Sequence, residues 1–360
     1  MSFSSLVIVG NFGSTNIGDE ALLESLLLLV RDIPGGSTAP IHVLSSDPAD
    51  TLARYNAYNI TSSPLFPCGF RTILTATIPF IQNFSKLLTS SHVLFGGGGL
   101  YTDKHSIYPM ILWGTQHFFL CTILRKKVMI IGQSFHTPRT ALGKFILKYI
   151  LKSSEQILVR DEGSKESIAS LTTKSIEVLP DLAFLLPRVT SQKKEGINIA
   201  LSLRPDQFTT PFFLRSICES LKNIGATHVD LVPMQYIKEE DMSILKSFGE
   251  QYLTPANIVW TLTKPKNYQD VMQIISQNSF SLGMRLHFCI FSVLANTPVL
   301  PLSYSAKVSG VFEKMNIPTV SMENINTTNL TASLQNLKLP STIDNKRNQY
   351  LMVISDFLTK

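Results

Sequence analysis

Two residues with acid–base and anion-binding chemistry stand two positions apart in "SLGMRLHF". Arg285 and His287 follow a short strand-like segment, Ser279–Leu282, and open an apolar stretch that ends before Pro298. That pattern predicts a strand, a tight turn and a helix. A helix N-terminus offers unsatisfied N–H groups to an anion. Arginine adds a planar fork that matches phosphate or carboxylate, and histidine adds a proton that titrates near neutrality. A second arginine, Arg204, ends the apolar run of "ALSLRPD", where Pro205 stops the strand. Arg204 either completes an anion clamp with Arg285 or caps a solvated strand end.

Two glycine-rich stretches lie in the first half. In "GNFGSTNIGDEALL", Gly13 and Gly18 have phosphate-loop spacing, but Asp19 and Glu20 stand where the lysine and hydroxyl would be. Nucleoside triphosphate binding is therefore not expected. The dinucleotide G-x-G-x-x-G is also absent. Asn16 can cap the following helix, and Asp19 suits its positive first turn. Either that is all they do, or Asn11, Asn16 and Asp19 hydrogen-bond sugar hydroxyls. In "FGGGGLYTD", Gly96–Gly99 are costly in backbone entropy. Such a run suits a loop whose backbone must turn tightly or approach a ligand, and Gly97 and Gly98 lie at its centre.

Other chemistries find little support. His92, His105, His117 and His136 match no metal-ligand spacing, so no metal is expected. No G-x-S-x-G occurs. The four cysteines, Cys68, Cys121, Cys218 and Cys289, are dispersed, which suits a reducing cytoplasm rather than a disulfide framework. The opening "MSFSSLVIVGNFG" lacks a basic region and a small-residue cleavage site, so no signal peptide is expected. No apolar run is long enough to span a bilayer. The net charge of +6 favours anionic partners such as phosphorylated metabolites, acidic glycans or lipid headgroups. No nucleic-acid recognition module appears.

These residues need strands and helices to hold them. Short apolar runs alternate with helical segments through the 360 residues, which predicts an α/β chain with parallel sheets. The alternation breaks near two prolines, Pro180 and Pro187, and a polar, charged run; residues 187–196 read as a linker. The expected domains are 1–186 and 197–340, doubly wound and facing a cleft, with an amphipathic closing helix over 341–360.

Taken in order, "GNFGSTNIGDEALL", "LFGGGGLYTD", "IIGQS", "VRDEGS", "LPDLAF", "LSLRP", "VPMQ" and "MRLHFCIFSVLANTPVLPLSYSAKV" resemble the polysaccharide pyruvyl transferase family. The resemblance implies two Rossmann-like domains similar to the GT-B glycosyltransferases. It implies transfer of the carboxyvinyl unit of phosphoenolpyruvate to sugar hydroxyls as a pyruvate ketal, with phosphoenolpyruvate as donor substrate and no further cofactor. Arg285, Leu286 and His287 fall on the family's Arg-Leu-His donor motif, and Arg204 on its strand-ending arginine. Lys307 falls on the donor side, although Ser305 and Ala306 precede it where Asp-Pro is common. The acceptor side would take Asn11, Asn16, Asp19, Gly97, Gly98 and Gln133. After Gln133 a small, glycine-containing continuation is replaced by Ser134-Phe135-His136, which alters the acceptor pocket.

Three apolar helical segments carry basic residues: "FRTILTATIPFIQNFSKLL", "IYPMILWGTQHFFLCTILRKK" and "ALGKFILKYILKS". They read as core-facing helices or as a membrane-facing surface. The second reading suits a cytoplasmic protein peripheral to the inner face of the membrane, with a sugar or lipid-linked glycan as acceptor. The rival functions are a nucleotide-sugar glycosyltransferase of the same two-domain form and a non-catalytic glycan-binding relative. Oligomeric state stays open at this level.

Overall fold

The computed structural model describes residues 5–68, 70–235, 239–303, 306–313, 315–339 and 344–359, and leaves aside the side chains of residues 70–75, 239 and 306–309. The chain divides into two compact units. The first comprises Met1–Ser14, Leu22–Leu185 and Asn345–Lys360; the second comprises Thr15–Ala21 and Leu186–Asp344.

The first unit is built on seven parallel strands: β1 (Leu6–Val9), β2 (Ile41–Ser45), β3 (Ile60–Pro64), β4 (His92–Gly98), β5 (Lys127–Gln133), β6 (Gln156–Val159) and β7 (Ile176–Val178). Their order is β3-β2-β1-β4-β5-β6-β7. β1, β2 and β4 are buried along their whole length, because helices cover both faces of a parallel sheet. Val7, Val9, Val93, Phe95, Val128 and Ile130 share one core with Met110, Trp113, Leu147 and Ile150 from the helices Tyr108–Phe118 and Ala141–Ser153. The opposite face takes the helix Ile17–Asp32, whose Leu22 and Leu26 lie against Gly97 and Gly96.

The second unit repeats the plan with six parallel strands: β8 (Asn198–Ser202), β9 (His228–Leu231), β10 (Val259–Leu262), β11 (Phe280–Gly283), β12 (Val299–Ser303) and β13 (Val320–Ser321). The order β10-β9-β8-β11-β12-β13 is the first unit's order shifted by seven strands. Both are Rossmann orders, with the switch of direction between β1 and β4 and between β8 and β11.

Two segments sit differently from the sequence expectation. Residues 187–196, expected as a linker, are bonded into the second unit: the Val189 N–H donates to the Leu294 carbonyl at 3.3 Å, and Lys194 pairs with Asp230 at 2.6 Å. The closing helix, Arg347–Thr359, belongs to the first unit, where the Tyr350 hydroxyl donates to the Pro180 carbonyl at 2.5 Å and Gln349 to Glu177 at 2.8 Å.

Two buried histidines of the first unit make it acid-labile. His42 bridges Thr61 and Ser63 of β3, both at 2.8 Å, and burial, with Lys86 adding, pushes its ring down to about 4. Burial pushes His117, which contacts Ser153 at 3.0 Å, down to about 3. An unfolded histidine titrates near 6.5. As pH falls below that value, the unfolded chain binds protons that the folded one refuses, so stability falls with pH towards 4. The expected loss by pH 4 is on the order of 3 kcal/mol per histidine. Trp113 is one of two tryptophans and lies in this core. Urea unfolding followed by Trp113 fluorescence in a Trp260→Phe background should show a falling midpoint between pH 7 and 4.5, blunted in His42→Gln. A flat profile refutes this assignment.

Candidate active site

Gln133 and Lys307 go with the next strands out, β5 and β12; Asn11, Gly97, Gly98, Arg204, Arg285 and His287 lie at or just past the carboxyl ends of the strands that flank the two switch points. In doubly wound sheets that is where ligands bind, because neighbouring connections leave in opposite directions and open a crevice.

The second unit holds the charged set. β8 and β11 are neighbours in register, with Ser202 opposite Gly283 and the Met284 N–H bonded to the Ser202 carbonyl at 3.0 Å. Arg204 and Arg285 each lie two residues beyond that pair, so the two arginines leave the sheet at the same level on adjacent strands. Arg285 is the N-cap of the helix Leu286–Leu294 and makes no side-chain capping bond. The first N–H groups of that helix therefore face the same edge. Arg285 is instead held by Asp241, Nη2 to Oδ1 at 2.5 Å. Asp241 is fully buried, and its other oxygen accepts the Met234 N–H at 3.3 Å.

The start of the opening helix is part of this unit. The Ile17 N–H donates to the Met234 carbonyl at 3.0 Å, and Asn16 forms an isolated antiparallel bridge with Gln235. The Asn16 side chain accepts the Gly18 N–H at 3.1 Å, which fixes the first turn. Gly18 lies so close to His287 that a Cβ there would stand 2.1 Å from the ring Nδ1. His287 also lies over Phe291, with ring centroids 6.3 Å apart. Asn16 and Asp19, expected on the acceptor side of the first domain, thus group with Arg285 and His287. The reason is the backbone pairing of residues 16 and 17 with residues 234 and 235. Leu286 is half-buried at the helix start. Lys307 lies in the helix Ala306–Glu313, and its side chain falls outside the described residues.

The first unit holds the remaining set. Gly97 and Gly98 have φ of +67° and +84°, a region that side-chain-bearing residues avoid, and a Cβ on Gly97 would stand 2.6 Å from Leu22. Gln133 is fully buried and fastens this loop: its amide donates to the Gly97 carbonyl at 3.0 Å and its carbonyl accepts the Leu100 N–H at 3.4 Å. Both ends of the side chain are committed, so Gln133 acts by shaping the loop. Asn11 lies just past β1, where its carbonyl accepts the Ser14 hydroxyl at 2.6 Å. Beyond β5, His136 lies 2.9 Å from the Thr102 hydroxyl and 3.9 Å from Asp103. Asp103 is buried; burial raises its carboxyl, but bonds from the Arg139 and Thr140 N–H groups and the Thr140 hydroxyl outweigh that and hold it below the usual carboxylate range.

Asp241 is the site residue that the sequence reading passed over. Its signal is positional: in the helix Glu239–Phe248 it shares the inward face with buried Leu245 and Phe248, at i, i+4 and i+7. A carboxylate on an apolar stripe calls for a buried cationic partner.

Two Rossmann-like units in tandem, with candidate ligand groups at their switch points, define the GT-B-like class. MurG of Acinetobacter baumannii has this fold, at 12% identity over 99% of both chains with a TM-score of 0.53. UDP-GlcNAc 2-epimerase of Methanocaldococcus jannaschii is similar at 12% identity over 98% of this chain and 99% of that one, with a TM-score of 0.63. HepE of Anabaena, solved with UDP and glucose, is similar at 8% identity over 99% and 94%, with a TM-score of 0.56. At such identities the likeness speaks for the fold alone. Residues 16–306 match the profile of the polysaccharide pyruvyl transferases, which is most of the chain, and the protein belongs to that family.

Proposed function

We propose that the protein transfers the carboxyvinyl unit of phosphoenolpyruvate to sugar hydroxyls of a cell-surface polysaccharide or its lipid-linked precursor, forming a pyruvate ketal. The observation that carries this reading is the pair of arginines leaving β8 and β11 at one level, beside a helix N-terminus and His287. Phosphoenolpyruvate carries a phosphate and a carboxylate on one carbon, and two guanidinium groups with a helix start suit both.

In this reading Arg204 and Arg285 hold the two anionic groups. His287 acts as general acid and delivers a proton to the methylene carbon. The double-bond electrons form the new C–H bond, and the adjacent carbon becomes oxocarbenium-like. A sugar hydroxyl adds to that carbon and loses its proton. Phosphate then leaves with its bonding pair, and a second hydroxyl of the sugar closes the ketal and loses the other proton. Phosphoenolpyruvate and a diol thus become a ketal and inorganic phosphate. Asn16 and Asp19 of the second unit would contact acceptor hydroxyls; in the first unit, Asn11 and the backbone of Gly97 and Gly98 are groups of the kind that bind a sugar.

Acceptor-dependent release of phosphate from phosphoenolpyruvate, measured over a panel of free and lipid-linked sugars, tests this reading. Turnover with a 1:1 ratio of phosphate to ketal supports it. The second reading, a nucleotide-sugar glycosyltransferase, draws on the UDP held by the HepE structure. Calorimetry separates the two: binding of UDP without binding of phosphoenolpyruvate overturns the transferase proposed here.

A further inference from the structure

The first unit carries a surface layer that is both apolar and cationic. Residues 51–154 hold eleven lysines and arginines against one acidic residue, Asp103. That is a net charge of +10 in a chain whose whole net charge is +6, so the remainder is net negative. The same segment holds ten of the fifteen large apolar side chains that stand exposed among the described residues. They include Ile78, Ile81, Tyr108, Ile123, Leu142 and Phe145, the last 71% exposed.

These side chains lie on helices that pack into one layer. Phe119 stacks on Phe66 with centroids 4.1 Å apart and meets Phe80 edge-on at 5.6 Å, which joins the helix Phe70–Gln82 to the turn Phe119–Ile123. Gly114 admits Ile146, and the Thr122 and Tyr149 hydroxyls are hydrogen-bonded, which joins the helices Tyr108–Phe118 and Ala141–Ser153. In Ala141–Ser153 the inward stripe is Leu147, Ile150 and Leu151. Its outward face presents Leu142 and Phe145 flanked by Lys144, Lys148 and Lys152, all exposed.

We propose that this layer is a docking surface for an anionic lipid bilayer. The charge pattern selects that occupant. A second copy of the chain would set one strongly cationic layer against another. A nucleic-acid backbone would meet the lysines but leave the isoleucines and phenylalanines in water. An anionic bilayer answers both, since its headgroups attract the lysines while its acyl boundary takes up the apolar side chains. No helix among the described residues is long and apolar enough to cross a membrane, so the contact is peripheral. The inference deepens the transferase reading, because a lipid-linked acceptor would be met at such a surface, but the surface does not depend on that chemistry.

Vesicle co-sedimentation of the full-length protein tests it without any activity readout. The probes are phosphatidylcholine vesicles with and without phosphatidylglycerol, at low and at raised salt. Binding is expected only with the anionic lipid, and to weaken as salt screens the lysines. Changing Lys144, Lys148 and Lys152 together to Gln should lower partitioning roughly a hundredfold, the strength usual for three lysines at an anionic surface. Phe145→Ser should lower it about tenfold; the ring is mostly exposed, so the fold is retained. Equal binding to neutral and anionic vesicles, or none to either, overturns the proposal. So does salt-resistant self-association that Phe145→Ser abolishes, which would assign the layer to a second copy.

Discussion

Asp241→Ala should lower acceptor-dependent phosphate release about a thousandfold and destabilise the second unit by about 3–5 kcal/mol, the usual consequence of breaking a buried ion pair. The carboxylate is fully buried and has two duties. One oxygen holds the Arg285 guanidinium at 2.5 Å, and the other accepts the Met234 N–H. The Met234 carbonyl in turn accepts the Ile17 N–H, one residue before the Gly18 that touches His287. Removing the carboxylate thus frees the arginine, loosens the bridge segment at 234–235, and with it the turn beneath the histidine. Asp241→Asn divides the two duties. It keeps an acceptor for Met234 and should keep most of the stability, yet it gives up the charge that orients Arg285. Turnover in Asp241→Asn should therefore fall between wild type and Arg285→Ala. Stopped-assay phosphate release and thermal unfolding of the three variants measure both arms. Wild-type turnover in a folded Asp241→Ala protein would remove Arg285 positioning from the mechanism.

The parts of this site that were legible in the sequence are those that lie contiguously along the chain. Arg285 and His287 are separated by one residue, and the strand before them, "FSLG", has no charged or bulky polar residue because β11 is buried between neighbours. The central strands β1, β4, β5, β8 and β12 were visible for the same reason. The edges were not. β3 reads "ITSSP", a polar segment, because its Thr61, Ser62 and Ser63 satisfy His42 and the Val43 carbonyl of β2 rather than fill a core. β7 is three half-buried residues and β13 only two, too short to show a period. Asp241 was hidden because its meaning depends on a residue 44 positions away. The grouping of Asn16 and Asp19 with the second unit was hidden too, since a pairing between residues 16 and 235 leaves no local pattern.

Gly18→Ala is the variant that separates the position of His287 from the stability of the fold. Gly18 lies in the first turn of the helix Ile17–Asp32, with no positive φ to forbid a side chain. On propensity alone, alanine there should be neutral or stabilising by up to about 1 kcal/mol. Its methyl group, however, would stand 2.1 Å from Nδ1, 2.6 Å from Cγ and 3.0 Å from Cβ of His287. A χ2 rotation relieves the first contact but not the other two, so the whole imidazole must shift. If His287 delivers the proton to the methylene carbon, that shift should forfeit much of what general acid catalysis supplies, about 100- to 10,000-fold. Turnover should approach that of His287→Ala, while the unfolding midpoint stays within a degree or two of wild type. Binding of phosphoenolpyruvate should change far less than turnover, because the arginines that hold its anionic groups are untouched. Full activity in Gly18→Ala would mean that the imidazole need not stand where it does, and the acid would then have to be sought among the other titratable groups of the second unit.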